Sequence, residues 1–289
     1  AIRRQRQMCI RDSYEYGELF NEINRHTGGI GTSLELYPDV TKVKEKEFKA
    51  TFEIKGKALY GQIPFAIRMM KEILTASKLD DEKRLKEILS MTKTRLQDRF
   101  LSAGHSAAAL RAMSYKSPIS KFKDTTNGIE YYQNIREMEE HFDEKKEEII
   151  SGLKALSELL FRKGNVMISY TASREGLAVL EEEIGSLKEA LYPERTPESR
   201  CILHCEKKNE GFKTSSKVQF AAKAGNFIDA GEEYNGALQI LKVIMSYEYL
   251  WINIRVKGGA YGCMSNFNRI GEGYFVSYRD PNLGRTLEI

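Results

Sequence analysis

The sequence predicts an α+β fold made of two consecutive α/β sandwich domains with largely antiparallel sheets, the second of them truncated. Three observations carry that expectation. Runs that alternate apolar and polar residues mix, without strict alternation, with long runs whose apolar residues recur every three or four positions; this favours antiparallel sheets over a doubly wound parallel one. A Pro- and Glu-rich stretch, Tyr192-Pro193-Glu194-Arg195-Thr196-Pro197-Glu198-Ser199, separates two such sets of elements. The length of 289 residues, 41% of them hydrophobic, fills one large core or two modest ones.

From the amino-terminal side, residues 14–26 carry Leu19, Phe20 and Ile23 at helical spacing, and Thr27-Gly28-Gly29 stops the helix with residues that tolerate a left-handed turn. Ile30, Thr32, Leu34 and Leu36 then alternate with their neighbours, as do Phe48, Ala50, Phe52 and Ile54 after a polar loop, which predicts two half-buried antiparallel strands. Residues 63–77 and 80–113 read as helices, and a third helical stretch, 129–162, is expected to break in its middle. Val166, Ile168 and Tyr170 predict a short strand, and Ser173 an N-cap for a helix with Leu177, Leu180, Ile184, Leu187 and Leu191 on one face. Beyond the linker, Val218, Phe220, Ala222 and Ala224 predict a strand, 234–249 a helix, Ile252, Ile254 and Val256 a second strand, and 274–278 a third. Thr286-Leu287-Glu288-Ile289 reads as the opening of an amphipathic helix, so the natural protein is expected to continue.

The first 13 residues stand apart. They lack the apolar run of a signal peptide and any helical or strand period, and Gln5 to Ser13 resembles a translated sequencing-adapter read-through, so they are set aside as a non-native start. Arg3, Arg4, Arg6 and Arg11 against Asp12 supply +3 of the net charge of +4. The remaining charges are interspersed on helix faces without a basic stripe, which disfavours a nucleic-acid partner. No apolar run approaches the roughly 18 residues needed to cross a bilayer, which excludes a membrane-spanning helix. Cys9, Cys201, Cys205 and Cys263 are too few and too scattered for a disulfide scaffold and fit reduced thiols in a cytoplasmic protein.

No metal site is predicted within the chain. Cys201, His204 and Cys205 lack a second Cys/His pair to complete a four-ligand zinc site. His141-Phe142-Asp143-Glu144-Lys145 comes within one residue of HxxEH, but Lys145 brings positive charge to the second ligand position, and the charged run around it reads as a solvated helix face. His26 and His105 stand alone. Ser106, Ser277 and Cys263 have no base at a recognised spacing, and neither GxxxxGK[ST] nor GxGxxG occurs, which disfavours nucleotide binding.

The stretch Arg255-Val256-Lys257-Gly258-Gly259-Ala260-Tyr261-Gly262 joins a predicted strand to a turn that needs glycine freedom, which draws Arg255 and Tyr261 together. An Arg fork that never deprotonates and a phenolic donor suit a carbonyl oxygen on which negative charge develops. The same residues also fit a plain hairpin with a surface arginine and a packed tyrosine.

In their order and separations, Thr27-Gly28-Gly29-Ile30, Arg255 to Gly262 and Ser277-Tyr278-Arg279-Asp280-Pro281-Asn282 resemble the carboxyl-terminal half of the presequence protease and falcilysin branch of the insulinase (pitrilysin) zinc metallopeptidase superfamily. The resemblance implies insulinase-type sandwich domains in a parent whose two bowl-shaped halves close around an unstructured peptide. Zinc is implied for that parent alone, in the missing amino-terminal half. On this reading residues 14–191 form a third-domain-like region (the presequence protease associated domain), 192–198 a linker and 199–289 part of a fourth domain. Arg255 and Tyr261 match the family's Arg and Tyr that reach the scissile carbonyl, and Gly258 and Gly259 are substrate-binding positions where the backbone passes close to a strand or the peptide. Ser277 to Asn282 is assigned to the chamber wall without a specific role. The chain alone is expected to be inactive. A second reading makes it a non-catalytic subunit that pairs with a separate zinc-bearing chain. A bacterial cytoplasmic location follows by analogy.

Overall fold

A computed structural model describes residues 16–194 and 203–289. The expected linker lies largely outside these residues. The chain is a mixture of helix with small antiparallel sheets, and its described residues group into two compact units, the first of residues 16–35, 50–91 and 137–194, the second of 36–49, 92–136 and 203–289.

In the first unit, α1 (Tyr16–His26) places Leu19 and Ile23, four residues apart and both buried, against α2 (Ile63–Thr75). Pro64 in the first turn of α2 costs nothing, because the amide it lacks has no partner there. Ile63, Ile67, Met70 and Ile73 form one buried face, closed by Leu187 of α7 (Arg174–Glu189). Ile73 is fully buried, so its truncation to alanine costs about 2 to 5 kcal/mol. Strands β1 (Ile30–Pro38) and β2 (Phe48–Gly56) pair antiparallel, and the Gly28 amide donates to the Lys57 carbonyl at 2.6 Å beside them. The helical stretch expected over 129–162 breaks at His141, between α5 (Ile129–Glu140) and α6 (Phe142–Leu160). Ser173 holds the N-cap position of α7 but makes no side-chain capping bond.

The second unit holds the later part of α3 (Glu82–Ser114), α4 (Pro118–Asn127), most of α5 and a three-stranded antiparallel sheet in the order β3 (Ala222–Asn226), β5 (Glu272–Tyr278), β4 (Gly262–Phe267). Helix α3 is kinked at Ala103, where φ is −133°. Gly104 next to it lets the Phe220 ring approach the backbone, since a Cβ there would lie 2.5 Å from that ring. Ser117 caps α4 by accepting the Ser120 amide. Helix α8 (Ala237–Ile244) runs without a break into a π-helix, Met245–Val256, and a six-residue α9 (Leu283–Glu288) follows the sheet.

Three expectations are corrected. Residues 252–256 are not a strand. Leu250 and Ile254, four apart, are the buried pair, whereas Ile252 and Val256 are 39% and 66% exposed, so the alternating set forms no buried sheet face. Residues 166–170 pair with no strand among the described residues, and Met167 and Ile168 lie exposed. The strand expected from Val218 begins only at Ala222, with Gln219 making an isolated bridge to Asp280. Two elements went unforeseen: α4, whose polar sequence hides its helix, and β4, whose Gly262 and Asn266 dilute the alternation.

Candidate functional site

The π-helix delivers Arg255 in its last turn, and the chain then passes through Gly258 and Gly259 into β4. Amides of Gly259 and Ala260 close the helix end by donating to the carbonyls of Arg255 (2.9 Å) and Ile254 (3.1 Å). Each glycine answers a local need. A Cβ at Gly258 would lie 2.5 Å from the Ile254 carbonyl oxygen, and Gly259 has φ +77°, a region where L side chains are strained.

That turn brings Arg255 and Tyr261 together. Arg255 Nη1 donates to the carbonyl of Ala260 at 3.2 Å and also to that of Tyr261. The guanidinium carbon lies 4.9 Å from the Trp251 ring centroid and 5.1 Å from that of Tyr261, so two aromatic rings hold the cation. Among the described residues Nε and Nη2 remain as donors without a partner, and Tyr261 is 63% exposed. Beneath it, Tyr278 meets the Tyr261 ring edge-on at 5.7 Å and the His105 ring at 4.8 Å. Burial pushes the His105 pKa down, which keeps that ring neutral.

The second motif docks on the first. In the β4–β5 register Gly262 faces Tyr278 and Cys263 faces Ser277, and the Tyr261 amide donates to the carbonyls of Tyr278 (3.0 Å) and Arg279 (3.2 Å). Ser277 is buried and exchanges bonds with Ala221, its hydroxyl accepting the Ala221 amide at 3.1 Å. Burial pushes the Cys263 thiol up, against activation as a nucleophile. The third motif lies in the other unit and acts locally: Thr27 donates its hydroxyl to the Ile23 carbonyl at 2.6 Å and accepts the Gly29 amide at 3.0 Å, with Gly29 at φ +107°.

The sequence offered no hint of a polar cluster around Arg111. Its Nη1 donates to the fully buried Asp124 at 2.6 Å, and Nε and Nη2 grip Glu210 at 2.8 and 3.1 Å. Tyr115 also donates to Glu210, and Lys121 to Glu130. Every group there is engaged, so the cluster is a clasp that ties the irregular segment around Glu210 to α3 and α4.

Among the described residues no group of three or more His, Cys, Asp or Glu converges to hold a metal. At the near-match to HxxEH, His141 Nδ1 stands 3.6 Å from Glu144 on an exposed face, and Lys145 pairs with Glu137.

Two family models match the chain in order: the associated region of peptidase family M 16, subfamily C, over residues 11–138 and the PreP C-terminal domain over 209–289. Protein HypA of Clostridium perfringens is 36% identical over 280 residues, covering 97% of this chain and 28% of that protein. Presequence protease 1, chloroplastic/mitochondrial, of Arabidopsis thaliana is 28% identical over 92% of this chain and 25% of its own length, and the mitochondrial presequence protease of Drosophila melanogaster 27% identical over 95% and 26%. The chain therefore spans about a quarter of the length of these relatives. With both models matched in order and relatives aligned along nearly its whole length, this chain belongs to subfamily C of peptidase family M 16, alongside the presequence proteases.

Proposed function

We propose that this chain is the substrate-clamping portion of a zinc metalloendopeptidase that degrades unstructured peptides in a closed chamber. Arg255 and Tyr261 supply hydrogen-bond donors to the scissile carbonyl as it becomes an oxyanion. The observation that carries the reading is their pairing: a guanidinium lying over two rings, with donors to spare, beside an exposed phenol, all within the span matched by the PreP C-terminal domain. Arg255 needs no reorganisation to act, because its Nη1 bonds already fix its plane. Gly258 and Gly259 keep side chains out of the path along which the peptide backbone runs.

Zinc belongs, on this reading, to the part of the parent enzyme that this chain does not span, and that zinc-bearing half is the chain's partner. Large exposed apolar side chains at Ile240, Val243 and Tyr247 support a surface made to be covered by protein. The proposed architecture is two consecutive insulinase-type sandwich domains, 14–191 and 199–289, supported by two family models that match in that order. A bacterial cytoplasmic setting is supported by the free thiols of Cys205 and Cys263.

The test is Tyr261→Phe in the assembled peptidase. We expect kcat on an unstructured fluorogenic peptide to fall about 100-fold or more, with KM little changed, the effect of losing one oxyanion donor. An unchanged kcat would sink the assignment. The chain by itself is expected to show no zinc-dependent cleavage.

A further inference from the structure

We propose that Asp280 and Asn282 are positioning residues that clamp the loop 258–261 and so orient Arg255 and Tyr261. The catalytic consequence rests on the function proposed above; the clamp itself does not. Asn282 occupies the N-cap position of α9, where an asparagine ordinarily bonds its own helix, yet its side chain makes no capping bond. Instead Nδ2 donates to the Gly258 carbonyl at 2.5 Å, 24 residues earlier in the chain. That carbonyl sits where the π-helix ends and has no helical partner of its own.

Asn282 is held in turn by Asp280, whose Oδ1 accepts the Asn282 amide at 2.8 Å. Asp280 is fully buried, and its backbone amide donates to the Gln219 carbonyl at 2.9 Å. Its Oδ2 has no partner among the described residues. Arg279, just before it, adopts φ +50°, which turns the chain so that the Tyr278 and Arg279 carbonyls receive the Tyr261 amide. The loop is thus gripped at Gly258 from one side and at Tyr261 from the other. Pro281 packs between, 3.5 Å from where a Cβ of residue 259 would stand.

Trp251 is the sole tryptophan and stacks on Arg255, so its fluorescence reads the clamp directly. The experiment compares acrylamide quenching of Trp251 in the full 289-residue chain with Asn282→Asp, which puts an acceptor against the Gly258 carbonyl, and with Asp280→Ala and Asp280→Asn. Well below the unfolding midpoint, Asn282→Asp and Asp280→Ala are expected to raise the quenching constant about twofold as the cation leaves the indole face. Asp280→Asn, which keeps an acceptor oxygen, is expected to match the parent. Asn282 lies on the surface, so Asn282→Ala provides a folded comparison should the charged variant fail to fold. A lowered midpoint with parental quenching in the folded Asn282 variants would mean a merely stabilising contact and would overturn the clamp. Because the readout is fluorescence, an unchanged kcat in Tyr261→Phe sinks the proposed function and leaves the clamp standing.

Discussion

Arg255 donates through Nη1 to the carbonyl of Tyr261 while its guanidinium carbon lies 5.1 Å from the centroid of the same residue's ring. One side chain therefore fixes both the backbone and the ring of its partner six residues on. Only a planar cation with several donors can do both at once, which makes lysine a poor substitute. Arg255→Lys is expected to lower stability by about 1 kcal/mol in urea unfolding, the usual net worth of such a bond, and to shift the emission maximum of Trp251. In the assembled peptidase it is expected to lower kcat about 100-fold.

The two glycines of the turn are needed for different reasons, so their alanine variants separate in size. Gly259→Ala places a Cβ at φ +77°, with only Pro281 nearby, and is expected to cost about 1 to 2 kcal/mol. Gly258→Ala drives a Cβ to 2.5 Å from a backbone carbonyl oxygen that no rotamer change can move, and is expected to cost roughly 2 kcal/mol or more. Thermal unfolding of both variants checks the order; a smaller effect at Gly258 would contradict the geometry.

What could be read in advance follows the range of the interaction. Leu19 with Ile23, and Ile63 with Ile67, announce their helices because helix periodicity is local. The pair Arg255 and Tyr261 was visible as a motif, and the turn between them follows from its glycines. The π-helix was not visible, because Ile252, Ile254 and Val256 alternate as a strand would, and only the buried four-residue pair Leu250 and Ile254 betrays the helix. Arg111 and Glu210 are 99 residues apart and Asn282 and Gly258 are 24 apart, and no local rule links them. Such contacts become legible only once the chain has folded.

The Arg111 clasp makes a strong stability prediction. Arg111→Met leaves the Asp124 carboxylate fully buried without its cation and is expected to cost about 3 to 5 kcal/mol. Adding Asp124→Asn removes the orphaned charge while keeping an oxygen for the Ile129 amide, which Asp124 Oδ1 accepts at 2.9 Å. The double variant is therefore expected to recover part of the loss, measured as a non-additive term in a double-mutant cycle. Strict additivity would show that the two residues are not energetically paired.

The same clasp sets a pH dependence whose sign can be worked out from Glu210. The hydrogen bond from Arg111, reinforced by that from Tyr115, holds the Glu210 carboxyl below its usual value of 4.5. In the unfolded chain that carboxyl takes up its proton at the usual value, so as the pH falls below 4.5 the unfolded state binds more protons than the folded one. The stabilisation is thus complete at neutral pH and is lost as the pH drops through the depressed folded value. Glu210→Gln is expected to lower stability by about 1 kcal/mol at pH 7 and to decline less steeply in acid, the two curves converging at low pH. Titrating groups that do not touch Glu210 are common to both proteins and cancel in the difference. At the alkaline end burial, aided by the bond to Glu210, pushes the Tyr115 phenol above its usual value of 10.0, so its contribution is intact below that value and disappears as the pH climbs toward the folded one. Urea midpoints of the parent, Glu210→Gln and Tyr115→Phe across this range separate the limbs. Parallel acid limbs for the parent and Glu210→Gln would show that Arg111 does not depress the Glu210 carboxyl in the folded chain.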